Sequence, residues 1–148
     1  MRQNTMKIYN YLITYLLFTL LSFPSYSSEF SISTDNNFIY KLRPGQKITA
    51  GFTNIITNED AKIIMIKAKS IGRIETHSMI MDGEIMKMRK ITPELKKNEK
   101  YELKPGGNHL MLFDIQRELN SGESINLLFT FELDNKEKIS KSILFKVK

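Results

Sequence analysis

A Greek-key β-sandwich with no helical layer is the fold this sequence predicts, and three observations carry the prediction. Apolar residues recur with period two rather than 3.6, turn-forming clusters interrupt them at short intervals, and no stretch carries a convincing amphipathic helical stripe. A chain of 148 residues has room for one hydrophobic core and little more.

Residues 1–28 read as an export leader rather than as part of that core. Arg2 and Lys7 precede an uncharged run at 11–23, which Pro24 and the small-residue segment Ser25, Tyr26, Ser27, Ser28 terminate. The run is thirteen residues long, short of the roughly 20 that a membrane-crossing helix needs. Cleavage is expected after Ser27 or Ser28, with no stable membrane insertion afterwards, which leaves 29–148 as a single domain.

The strands follow in order. Phe30 and Ile32 alternate with serines. Ile63, Ile64, Met65 and Ile66 form a short apolar run. Ile125, Leu127, Phe129, Phe131 and Leu133 alternate cleanly with Asn126, Thr130 and Glu132, and Ile143, Phe145 and Val147 repeat the pattern at the end of the sequence. Turn signals separate these segments: Arg43-Pro44-Gly45, Asn58-Glu59-Asp60, Asp82-Gly83, Lys104-Pro105-Gly106-Gly107-Asn108, Asn120-Ser121-Gly122 and Asp134-Asn135. The one helical expectation is a single turn over 116–120.

Charge narrows the function classes. Lys plus Arg less Asp plus Glu is 22 − 16 = +6, and removing Arg2 and Lys7 with the leader leaves 20 − 16 = +4. The excess is dispersed among acidic residues and suits solvated strand edges, where lysine discourages edge-to-edge pairing. Without clustered arginine or interleaved aromatics it does not make a nucleic-acid footprint, so no nucleic-acid partner is expected. There is no cysteine, so stability has to come from packing rather than disulfides, and a blue-copper centre has no thiolate ligand.

The chemistry concentrates between Glu75 and Met111, which contain both histidines and five of the eight methionines. Imidazole and thioether together suit Cu(I) better than calcium, magnesium or manganese, and a thioether survives an oxidising compartment in which a free thiolate would not. Asp82-Gly83 is a favoured central pair for a type I′ turn, and that turn sets His77 directly opposite Met88 and Met79 opposite Met86, all on one face. His109 and Met111, two apart on a later strand, project together. His77, Met88, His109 and Met111 then form a four-coordinate site for one Cu(I) ion. Taken singly, each methionine would more often be a core filler and each histidine a structural residue. The joint pattern favours the metal.

Two segments carry a family resemblance. Glu75-x-His77-x-Met79-x-Met81, continued through Gly83, Met86, Met88 and Arg89, and Leu103-Lys104-Pro105-Gly106-Gly107-x-His109-x-Met111-Leu112 resemble the PCuAC family of periplasmic copper chaperones. The resemblance covers most of the chain after the leader and is strongest over 72–131. It implies a cupredoxin-like β-sandwich in the periplasm, binding one Cu(I) through His77, Met88, His109 and Met111. It also implies delivery of copper to the CuA centre of cytochrome c oxidase, whose subunit II would be the accepting partner. Three departures stand out. The spacing from Met88 to His109 is one residue shorter than the family's, Asn36-Asn37-Phe38-Ile39-Tyr40 replaces an aromatic-arginine stretch, and no His or Met follows Met111.

The expected mechanism is ligand exchange by a monomeric, non-enzymatic carrier. No Ser/His/Asp arrangement, catalytic carboxylate pair or phosphate-cradling glycine loop is present. Two other readings fit less of the pattern: a copper scavenger or buffer, and a metal-free secreted β-sandwich whose methionines form an adaptable protein-binding patch.

Overall fold

The computed structural model describes residues 29–148, so the expected leader at 1–28 lies outside the described residues. Ten strands run in order: β1 Ile32–Ile39, β2 Thr49–Thr57, β3 Ala61–Lys67, β4 Ile71–Asp82, β5 Ile85–Ile91, β6 Glu94–Leu95, β7 Tyr101–Leu103, β8 His109–Ile115, β9 Ser124–Leu133 and β10 Lys138–Val147. They hydrogen-bond in the order β5-β4-β8-β2-β1-β10-β9-β3-β6, with β7 added to β2. Every pairing between these strands is antiparallel except that of β1 with β10.

The continuous sheet closes over itself as a cupredoxin-like Greek-key β-sandwich. One buried cluster joins Ile74, Leu110, Leu112 and Ile55 from the β4, β8 and β2 side to Leu127, Phe129, Phe131, Ile143, Phe145 and Val147 from β9 and β10. The period-two residues of β9 and β10 are the ones buried there, and Phe129 stacks against both Phe131 and Phe145. Burial of each such side chain contributes about 1.5–3 kcal/mol. Gly51 on β2 has a packing reason: a Cβ there would stand 3.3 Å from the Ile39 side chain and 3.4 Å from that of Leu112, so any larger residue would make these buried side chains give way by a few tenths of an ångström.

Two local expectations change. Thr130, expected on the solvent side, is buried and meets the Ser140 hydroxyl at 3.1 Å across the β9/β10 pair, which satisfies its oxygen. The 63–66 run is not continuously buried, because a bulge between Ile63 and Met65 turns both Ile64 and Met65 outward.

Among the described residues there is no helix, and the turn expected over 116–120 is irregular. Tertiary partners take the place of a helical ladder. The Gln116 N–H donates to the Ser70 carbonyl, Arg117 donates to the Glu118 carbonyl and the Glu123 carboxylate, and Leu119 packs into the core.

Candidate metal centre

β8 lies between β4 and β2, and its register against β4 builds the site. His77 pairs with His109, Glu75 with Met111 and Arg73 with Phe113. The alternate pairs, Thr76 with Leu110 and Ile74 with Leu112, are buried on the core side. Period two then puts Glu75, His77, His109 and Met111 together on the outer face. The turn before β8 uses Gly106 at φ +77°, closed by the Gly107 N–H on the Lys104 carbonyl at 3.1 Å, and it delivers His109 to the first position of the strand.

The two imidazole rings have their centroids 6.2 Å apart, and the Phe113 ring lies 6.0 Å from that of His77. His109 is 7 % exposed and its Nδ1–H donates to the Gly107 carbonyl at 2.8 Å, which fixes the ring and leaves Nε2 as the nitrogen with a free lone pair. His77 is oriented the opposite way. Its Nε2–H donates to Glu75 Oε2 at 2.8 Å, and its Nδ1 is buried with no hydrogen-bond partner. Each histidine therefore has one nitrogen held by the protein and one unengaged, the arrangement that metal-binding imidazoles adopt when a carboxylate or carbonyl fixes their tautomer.

Glu75 is the residue that sequence reasoning missed. Counting soft donors alone passes over it, yet it stands two residues before His77 and so shares its face by strand period. Lys90 donates to its other oxygen at 3.0 Å, and Arg73 lies 3.5 Å from the same atom. The Glu75 carboxyl is held below its ordinary value, chiefly by the His77 hydrogen bond, then by the hydrogen bond and charge of Lys90 and the charge of Arg73. With both oxygens engaged, it serves as an anchor for the ring rather than as a hard donor. Among the described residues no three side chains drawn from His, Cys, Asp and Glu gather to hold a metal, so a metal site here has to draw on thioethers.

The β4/β5 register departs from expectation. Met79 pairs with Met88, Met81 with Met86, and His77 with Lys90 rather than Met88. The physical reason lies in the turn. Gly83 takes φ +65° and is followed by Glu84, which is not among the residues of positive φ, so glycine occupies the first central position as in a type II′ turn. The expected Asp82-Gly83 turn would have forced Asp82 itself into the left-handed region. Moving the turn by one residue shifts the pairing by two, which preserves the faces: His77, Met79, Met81, Met86 and Met88 still share one side.

β4 and β8 thus bring His77, His109 and Met111 together. Met88 stands two ladder pairs nearer the hairpin tip than His77 and on the far side of β4 from His109, about 10 Å over in strand spacings. It is 48 % exposed. A cleft of about 690 Å³ lies at the opposite, Ile115 end of β8, and none of the candidate ligands lines it.

Comparison with known proteins agrees with this architecture. A family profile described as "LpqE-like: Putative lipoprotein LpqE-like" matches residues 32–141. A curated relative, the uncharacterized protein RP573 of Rickettsia prowazekii (strain Madrid E), is 36 % identical over 91 residues, which are 60 % of this chain and 50 % of that protein. The chain thus spans about half the length of that relative. Among solved structures, the apo PCuAC domain from PmoF1 superposes with a TM-score of 0.60 at 15 % identity, covering 79 % of this chain and 94 % of that one. The copper-bound PCuAC domain from PmoF2 has a TM-score of 0.59 at 13 % identity, covering 79 % and 93 %. The Cu(I) form of DR1885 from Deinococcus radiodurans has a TM-score of 0.56 at 15 % identity, covering 84 % and 81 %. At these identities the likeness is one of fold.

Proposed function

The chain belongs to the LpqE-like family, and from that premise we propose that it is an exported, non-enzymatic carrier of one Cu(I) ion, held by His77, Met88, His109 and Met111. The observation that carries this reading is the direct pairing of His77 with His109, each with one ring nitrogen fixed and the other free. Copper-bound structures among proteins of the same fold support the choice of metal, and the family's description as putative lipoproteins supports export. Periplasmic location and delivery to the CuA centre of cytochrome c oxidase rest on the motif resemblance.

The protein's own groups do four things. Glu75 and the Gly107 carbonyl hold the imidazoles in the tautomers that leave a lone pair open. Thr76, Leu110, Ile74 and Leu112 lock β4 against β8 from the core side and keep the histidines in register. Met111 supplies a thioether beside His109 on the same strand, and Met88 supplies one from β5, an edge strand whose side chains are almost all exposed. Because β5 lies at the sheet edge, acceptor thiolates can displace ligands from that side one at a time, which is what transfer to a cysteine-containing acceptor requires.

Titrating the purified protein with Cu(I) against a chromophoric chelator tests the reading. One tight equivalent that survives competition with the chelator, and is lost from that tight class in His77→Ala and in His109→Ala, is the expected result; no uptake sinks it. Loss of oxidase CuA loading in a deletion strain separates delivery from buffering, since a buffer would affect copper tolerance alone.

A further inference from the structure

The hairpin beyond His77 carries four methionines on one face, in two directly opposed pairs: Met79 with Met88 and Met81 with Met86. A methionine that fills a core is buried, yet Met81 is 63 % exposed, Met86 59 % and Met88 48 %, and packing gives them no reason to be there. Directly opposed Cβ atoms stand about 4.5–5.5 Å apart and successive same-face pairs about 6.6 Å along the strand. The unbranched methionine side chain, with three rotatable bonds, spans that interval easily.

We propose that the Met79, Met81, Met86 and Met88 thioethers form a second site, at the hairpin tip, for a soft monovalent cation such as Cu(I) or Ag(I). The proposal shares Met88 with the carrier reading but does not need the histidines. With Met88 engaged at the histidine pair, three thioethers remain at the tip.

Selectivity follows from what the tip lacks on that face. Asp82, the nearest carboxylate on the strands, pairs with Ile85 on the opposite side, where Lys87 donates to it at 2.6 Å and Arg89 lies 3.9 Å away. The strands therefore offer only sulfur on that face, and Glu84 in the turn is the one further carboxylate near them, a donor set that hard divalent ions, which take several oxygens, bind poorly. The tip's position suits a capture point. On that face Met81 and Met86 are the pair nearest the turn, Met79 and Met88 are the next, and His77 with its partner Lys90 is the one after. A cation taken up at the tip lies one pair of thioethers from the histidines.

Ag(I) is the probe, followed by the ε-methyl NMR signals of the methionines in the full protein. In the His77→Ala/His109→Ala variant, the Met79, Met81, Met86 and Met88 methyls are expected to shift together on addition of one equivalent while Met65 does not move. Adding Met81→Leu and Met86→Leu to that background should weaken binding at least tenfold. These two side chains are exposed and leucine is of similar volume, so folding is preserved. If the histidine variant fails to fold, the wild-type protein decides: a second equivalent of Ag(I) must shift the Met81 and Met86 methyls. The proposal is overturned if those methyls stay fixed at saturating Ag(I), or if the leucine pair leaves binding unchanged. A wild type that binds one ion with a histidine variant that binds none removes the tip site and leaves the carrier reading standing. Tip binding without any effect of Ag(I) on the histidine signals does the reverse.

Discussion

Glu75 and His77, two residues apart on β4, are joined by a 2.8 Å hydrogen bond in which the carboxylate fixes which imidazole nitrogen stays open. Removing the charge while keeping an acceptor, in Glu75→Gln, leaves the ring less strongly held. Cu(I) affinity is expected to fall by about 10-fold to 100-fold, the usual cost of losing a partner behind a metal ligand. Competition against a chelator measures it, and unchanged affinity would mean that Glu75 only balances Lys90 and Arg73.

Met88 and Met86 lie on the same face of β5, but only Met88 is a ligand in the proposed histidine-containing site. Met88→Leu should weaken the tighter Cu(I) equivalent by at least about tenfold, or about 1.4 kcal/mol, with little change in the unfolding temperature of the apo protein. Met86→Leu should leave that equivalent intact. Because Met79 is the residue that faces Met88, Met79→Leu is the informative third variant. A larger loss there than in Met88→Leu would transfer the ligand role across the pair.

Asp60 supplies a pH prediction that does not involve the metal. The Lys96 hydrogen bond first, and then that of the Lys97 N–H, hold its carboxyl below the ordinary value of 3.8. A carboxyl depressed in the folded state contributes stability that is present above its unfolded value and is lost as pH falls through the folded one. Asp60→Asn should therefore melt below the wild type at neutral pH, and the difference should shrink in acid and vanish below the ordinary carboxylate range. Unfolding temperatures from pH 7 down to about 2 would reveal a constant difference if the ion pair contributes nothing.

Much of this was legible because strands write their faces in period two. The buried apolar residues of β9 and β10 were readable one by one, though not Thr130, and so was the shared face of His77, Met79, Met86 and Met88. Which residues stand opposite each other was harder to read. At Asp82-Gly83 two turns compete, and the winner confines the left-handed conformation to glycine, a choice that dipeptide preference alone does not reveal. The His77/His109 pair is less legible still, because β4 meets β8 across a long separation in sequence and alternation does not name a strand's partner. Glu75 was within reach of the same parity rule, but a search for metal donors alone leaves out the groups that orient them.

The parallel seam between β1 and β10, where Phe38 lies beside Lys146 and Ile39 beside Val147, governs how the protein acquires its shape. It joins β1 to β10, so the seam cannot form until the residues up to Val147 have left the ribosome. Folding is consequently late and dominated by distant contacts, a topology that closes slowly. Until then the strands on either side of the seam expose the unpaired edges and apolar faces that invite aggregation. A chain that must remain open this long is also one that translocation machinery can thread before it locks.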